Sequence, residues 1–303
     1  MFERVVVVTK RTALEELLLR HHSRSQARFF IERRGSSFEE YEAAEAVYRA
    51  SLERTLAAVP RELPRETISR ELIPGFLFRP TDLVIALGPD GLCVNVAKYL
   101  EGQPILAVNP DPKRIDGVLM RFRPEEVEGA VRRMRQGEFR TETLTLAKAA
   151  TNDGQTLYAV NDFLIGRRDH VSSRYALTFG GRTERQSSSG ILIATGVGSS
   201  GWMKSVVTGA AALIGEPGGP KLPFAWNDRR LFFAVREPFA SRSTGATMVC
   251  GWIEAGLTLL AASEMSEGGA IFSDGVIEDA VEFNAGTIVT VSAAEKSAIL
   301  VAH

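Results

Sequence analysis

Residues 191–205 read ILIATGVGSSGWMKS, an apolar β-branched run that passes through three glycines into a segment with helical character. Gly196, Gly198 and Gly201 have the GxGxxG spacing of a dinucleotide fingerprint, in the required order of strand, loop and helix. A Rossmann unit needs more than this. A second strand must follow the helix and end in an acid about 20 residues on, which holds the adenosine ribose. Glu216 has that offset but sits in IGEPGGPKLP, where Pro217, Gly218, Gly219 and Pro220 forbid a regular strand. The loop can still touch a nucleotide, but not as a Rossmann turn.

Upstream of this stretch the texture is different. Val5–Val8 and DLVIAL (82–87) read as strands buried on both faces. Tyr41, Ala44, Val47, Tyr48 and Leu52 recur at helical spacing between Phe38 and Val59. A helix is expected over Leu92–Leu100, a strand over Pro104–Val108 and a helical segment over Pro124–Gln136. Such alternation predicts a parallel α/β sheet with covering helices. Ligands in these sheets lie at the carboxyl ends of the strands, so GPDG (88–91) and NPDP (109–112) should share one rim. Beyond residues 123–140 short alternating segments follow one another, from TETLTLAKA to TIVTVS, with a hairpin turn expected at Gly180 and Gly181. This predicts an α/β amino-terminal domain (1–125) and an all-β, sandwich-like carboxyl-terminal domain (126–303).

The 303 residues are 45% hydrophobic and carry a formal net charge of −1, which argues against a nucleic-acid or membrane surface as the main partner. Two cysteines are too few for a disulfide framework or a zinc cluster, and both are expected to be buried thiols in a reducing compartment. The first residues, MFERVVVVTKRTALEELL, do not have the pattern of a targeting peptide, so the cytoplasm is the expected location.

Four segments could carry chemistry. In GPDG, Gly88, Pro89, Asp90 and Gly91 link a buried strand to a helix, where amides and the helix dipole favour an anion. Asp90 could take a proton from a hydroxyl or hold magnesium beside phosphates; the same residues also make an ordinary Asp-Gly turn. Asn161 and Asp162 could read the hydroxyl and amide groups of a ligand, or cap a turn. In GVGSSGW the small residues permit close backbone approach and Trp202 offers an aromatic face; it could equally be a tight turn with a core tryptophan. SDG at 273–275 is best explained as a hairpin turn. The four histidines have neither metal-ligand spacing nor triad partners.

Together these pieces resemble the NAD kinase family, particularly its mitochondrial type. The GGDGT loop, Asn-Glu pair and TGSTAY-like loop of that family occur in the same order as GPDGL, Asn161-Asp162 and GVGSSGW. Further similar stretches are VVVVTK, AVNPDPKRIDG, GEFR, SSRY, QSSSG, VREPFASR and the DG followed by EFNAG. The resemblance implies transfer of the ATP γ-phosphate, with magnesium, to the 2′-hydroxyl of the adenosine ribose of NAD, giving NADP. It makes Asp90 the base, gives Asn161 and Asp162 the dinucleotide, and lays Ser199, Ser200, Gly201, Trp202 and Ser205 against the nucleotide. It also implies a homodimer. Two departures stand out: Pro89 has no N–H where the family has glycine, and Leu92 has no hydroxyl where it has threonine. They keep rival readings open: a dinucleotide-binding protein that has lost phosphoryl transfer, or a kinase of another acceptor such as a sugar, nucleoside or lipid.

Overall fold

Val5, Val6, Val7 and Val8 are wholly buried in the computed structural model, as a strand covered on both faces demands. The structure describes residues 2–215 and 219–303; Glu216, the candidate ribose acid, and its neighbours Pro217 and Gly218 lie outside the described residues. Two compact units are present: residues up to Glu142 with Ile299–His303, and Thr143–Ala298.

The first unit contains β1 (Arg4–Thr9), α1 (Ala13–His21), α2 (Arg24–Glu32), α3 (Phe38–Ala57), β2 (Arg65–Ser69), β3 (Asp82–Leu87), α4 (Asp90–Ala97), β4 (Pro104–Val108) and α5 (Val127–Arg135). Its sheet runs β2-β1-β3-β4, all parallel, and Ile299 and Leu300 pair in parallel with Pro104 and Ile105 of β4. Leu83, Ile85, Leu106 and Val108 pack with Val127, Val131 and Met134 of α5 and with Tyr48 and Leu52 of α3. At the amino ends of β1 and β3 the Arg4 guanidinium forms a two-pronged bond to the buried Asp82 carboxylate, at 2.8 and 2.5 Å. Three elements go beyond the sequence reading: α1, α2 and the edge strand β2. Helix α4 starts two residues before the expected Leu92, which puts Asp90 in its first turn.

Among its described residues the second unit is built of strands, one α-helix and a 3-10 turn at Gly198–Ser200. It comprises β5 (Arg140–Thr151), which starts in the first unit, then β6 (Thr156–Ala159), β7 (Asp162–Arg167), β8 (Ser173–Phe179), β9 (Arg182–Ser188), β10 (Ile191–Ala194), α6 (Trp202–Ile214), β11 (Leu231–Val235), β12 (Cys250–Ile253), β13 (Leu259–Ser263), β14 (Gly269–Ser273), β15 (Val276–Glu282) and β16 (Ile288–Ala302). One antiparallel sheet runs β12-β11-β10-β7-β14-β15. The other contains β16-β13-β8-β9, with β5 beside β16 and β6 beside β5. Alternate residues of both sheets, among them Phe163, Ile165, Tyr175, Ile193, Phe233, Ile271 and Val291, form one core, which makes the unit a sandwich. Gly180 and Gly181 make the expected hairpin turn, both with positive φ. Cys93 is buried as expected, whereas Cys250 is exposed: it lies on the edge strand β12.

Strand β10 settles the first question. It pairs antiparallel with both β11 and β7, whereas a Rossmann turn leaves a strand of a parallel sheet.

Candidate active site

GPDG and NPDP leave adjacent parallel strands, and the Gly88 N–H donates to Val108 O at 3.1 Å, so the two loops do share a rim. Pro89 occupies the cap of α4 and provides no side-chain hydrogen bond. The Asp90 carboxylate accepts from the Leu119 N–H at 2.7 Å through Oδ1 and from the Val118 N–H at 3.1 Å through Oδ2. Each oxygen keeps a lone pair for a ligand. Gly91 is exposed, and its amide lies in the first turn, whose donors have no partner inside the helix. Leu92 turns away from this rim: its side chain is 1% exposed and sits where a Cβ on Gly88 would lie, 2.8 Å from Leu92 Cδ2. Gly88 is therefore a packing requirement of Leu92, and the missing hydroxyl is replaced by core.

In the second unit, Asn161 and Asp162 sit where β6 passes into β7. One acid holds this corner. Asp274 accepts from the N–H groups of Val160 (3.0 Å), Asn161 (2.7 Å) and Asp162 (3.2 Å), and its own N–H returns a bond to Asp162 O at 3.0 Å. Asp274 belongs to SDG. The hairpin reading of that segment is correct, because Asp274 and Gly275 both have positive φ between β14 and β15, as a type I′ turn requires. It missed the carboxylate's second task. The three amides lie 112 to 114 residues away in sequence, so no local signal marks it.

With its backbone held in this way, Asn161 makes no side-chain hydrogen bond among the described residues. Nor does any donor there reach the Asp162 carboxylate, which is 8% exposed. Burial, and next the Asp274 charge, push the Asp162 carboxyl up to about 7. Asp162 lines a cavity of about 290 Å³ together with Leu164, Arg168, Trp202, Phe272 and Ile277. Arg168 lies over the Phe272 ring and Arg236 over that of Trp202. Trp202 is 38% exposed and thus not the core residue that a plain turn would hold.

The glycines of GVGSSGW serve packing. A Cβ on Gly196 would stand 2.0 Å from Ala225 O, and one on Gly198 would stand 2.1 Å from Asn161 O. Gly198 thus lets the loop lie directly on the Asn161 backbone, while Thr195 donates its N–H to Asn161 O at 2.9 Å. Buried Ser199 is fully engaged inside the protein: its hydroxyl donates to Gly196 O at 2.7 Å and accepts from the Phe224 N–H at 3.1 Å. Ser200, Gly201 and Ser205 are exposed; Ser200 Oγ donates to Val197 O and Ser205 Oγ to Gly201 O. The structure therefore gathers Asn161, Asp162, Gly198, Trp202 and Asp274 in one unit, with Asp90 and its loop in the other. Gly198→Ala is expected to destabilise the protein by about 1–3 kcal/mol, the cost of overpacking a tight site, read as a lower melting temperature. Gly201→Ala, with nothing nearer than 3.6 Å, should melt close to the wild type.

No protein-family model matches the chain. It is 31% identical over 123 residues to the NAD kinase of Saccharolobus solfataricus, a match covering 40% of this chain and 46% of that one. It is 29% identical over 134 residues to the NAD kinase of Chlorobium limicola, covering 43% of this chain and 46% of that one. The chain thus spans about half the length of the curated relatives it matches. Among solved structures, yeast NADH kinase complexed with NADH aligns over 100% of this chain and 84% of its own, with a TM-score of 0.64 and 15% identity. The NAD kinase from Archaeoglobus fulgidus in complex with ATP aligns over 98% and 92%, with a TM-score of 0.56 and 18% identity. The α/β and β-sandwich architecture is thus the fold of the NAD and NADH kinases, and it is to NAD kinases that this chain is similar in sequence.

Proposed function

We propose that the protein is an NAD kinase, transferring the γ-phosphate of ATP to the 2′-hydroxyl of the adenosine ribose of NAD. The observation that carries this is the Asn161–Asp162 pair: two adjacent polar side chains without a side-chain hydrogen bond among the described residues, the second of them lining a cavity walled by Trp202, in a chain with the fold of NAD and NADH kinases. Such a pair is suited to a ligand's hydroxyls and amide. In this reading the first unit handles phosphate and the second holds the dinucleotide. Asp90 accepts the 2′-hydroxyl proton as the ribose oxygen attacks the γ-phosphorus and ADP leaves with the bridging oxygen. The Leu119 and Val118 amides keep its carboxylate aimed while it does so. Gly91 contributes a first-turn amide to the phosphates, and Trp202 a flat face to the nucleotide. Ser199, satisfied internally, shapes the loop, and Ser200, Gly201 and Ser205 form its exposed side.

Among the described residues no three His, Cys, Asp or Glu side chains cluster as a metal cage. The magnesium of this reading needs no such cage, because the ion is commonly held by one or two carboxylates and the substrate's phosphates. Asp90, with its spare lone pairs, is the carboxylate that would reach it. The ion would neutralise charge developing on the transferred group. No helix among the described residues is long and apolar enough to cross a membrane. A cytoplasmic homodimer belongs to the same proposal, and light scattering tests the dimer.

The direct test is NADP formation from ATP, magnesium and NAD by the purified chain; no product, with NAD still bound, would move the reading to a binding protein or another acceptor. A pH series probes the second unit. Folded Asp162 keeps its proton up to about pH 7, whereas the unfolded carboxyl releases it near pH ~4. This group's contribution to stability therefore falls as pH rises through that window and is level above it. NAD affinity should run the other way, dropping below pH 7 by up to about tenfold per unit if the ionised carboxylate accepts the ligand's hydroxyl. Asp162→Asn should flatten the profile measured by calorimetry; an unchanged slope would detach Asp162 from the ligand.

A further inference from the structure

In the first unit, a cavity of about 470 Å³ opens at the amino ends of β1, β3 and β4, the end of the sheet opposite the rim that carries Asp90. At about 3.3 Å per residue, the six residues of β3 put it roughly 15–20 Å from that rim. Phe2, Pro80, Pro104, Met134 and Phe139 form its apolar wall. Part of that wall is held by a helix end. Helix α5 stops in a Schellman motif: Gly137, with positive φ, donates its N–H to Met134 O at 3.2 Å, and the Glu138 N–H reaches Arg133 O at 2.9 Å. This fixes the reversal that leads the chain to Phe139, whose ring is left 40% exposed.

The charges that border the space have partners inside the protein. Asp82 accepts from Arg4 through both carboxylate oxygens and from the Arg79 N–H at 2.7 Å, and Arg135 pairs with Glu62 at 2.7 Å. A charged ligand would therefore find no unpaired opposite charge to repay its lost hydration. Gln136 also borders the space and makes no side-chain hydrogen bond among the described residues, so its amide is free both to donate and to accept. The volume falls within the roughly 300–1,000 Å³ of small-molecule sites. We infer that this cavity binds an uncharged aromatic compound with an amide-like group, its ring against Phe2 and Phe139 and its polar group on Gln136. The inference stands apart from the kinase reading, because this end of the sheet holds none of the residues given there to nucleotide or phosphate.

Calorimetry on the full chain tests this with three probes: 2-naphthamide, 2-naphthoate and cyclohexanecarboxamide. 2-Naphthamide should bind saturably with a millimolar or tighter Kd, as suits a probe of its size. Charging the polar group, as in 2-naphthoate, or removing the aromatic ring, as in cyclohexanecarboxamide, should each weaken binding by about tenfold or more. Phe139→Ala should cost 2-naphthamide about tenfold, and Gln136→Ala about threefold to tenfold, the worth of one hydrogen bond. Both positions are exposed, so both variants should melt like the wild type. The titration is repeated with NAD and a non-hydrolysable ATP analogue present, and the affinity should not change. No saturable binding of 2-naphthamide, equal binding of 2-naphthoate, or unchanged affinity in both variants would overturn the inference. So would displacement of 2-naphthamide by NAD or the analogue, which would put the probe in a nucleotide's place instead.

Discussion

Asp90→Asn is expected to slow NADP formation by about 10²- to 10⁴-fold, the usual contribution of a general base. The geometry says what else the substitution touches. Asparagine keeps one acceptor oxygen, so it can serve the Leu119 or the Val118 amide but sets its own NH₂ against the other. Leaving one donor unmet costs about 1–3 kcal/mol when it is shielded, a cost that would loosen residues 118–119 rather than unfold the chain. Melting and NAD binding must therefore be recorded beside the rate. A base would show as a fall in kcat with NAD binding unchanged. A loss under about tenfold in a variant that melts normally would remove Asp90 from the role.

Asp274→Ala should have the largest effect in the second unit. It deletes the acceptor of three successive amides at the point where Asn161 and Asp162 are presented. Hydrogen bonds to a charged group contribute about 1.5–3 kcal/mol each. Because the three share one partly exposed carboxylate, we expect a total near 2–4 kcal/mol in stability, and about tenfold or more in NAD affinity where folding persists. Asp274→Asn separates the two causes, since it tolerates the positive φ and keeps one oxygen. It should recover stability more than affinity. A wild-type Kd for NAD in Asp274→Ala would show that the corner holds its shape unaided.

These two residues also show how much the sequence could reveal. The place of Asp90 in the fold was legible because its setting is local: DLVIAL reads as a doubly covered strand, and GPDG follows it directly. Val5–Val8 and PILAV were legible as buried strands in the same way. Helix α1 was legible in principle through its capping box, in which Thr12 accepts from the Glu15 amide and Glu15 from the Thr12 amide, but this needs reading for caps rather than for periodicity. Strand β2 had no such sign. It is an edge strand with only Ile68 buried, and RETIS shows no alternation. Asp274, Gly196 and Gly198 act on partners remote in sequence, so DG and GVG could be read as turns but not as the pieces that fix Asn161. Leu92 lacks the family's hydroxyl because in the fold it is a core residue, packed where a Cβ on Gly88 would lie.

The return of Ile299–His303 to the first unit has a consequence for synthesis. Residues up to 142 emerge from the ribosome more than 150 residues before the segment that lies against β4. Until then only the Ala107–Val108 end of that side of β4 is covered, by Phe122, and the Pro104–Ile105 end is an open edge that invites other chains. The amino-terminal half must wait for its last strand, and chaperone demand should be greatest in that interval. A chain shortened after Ala298 would never leave it.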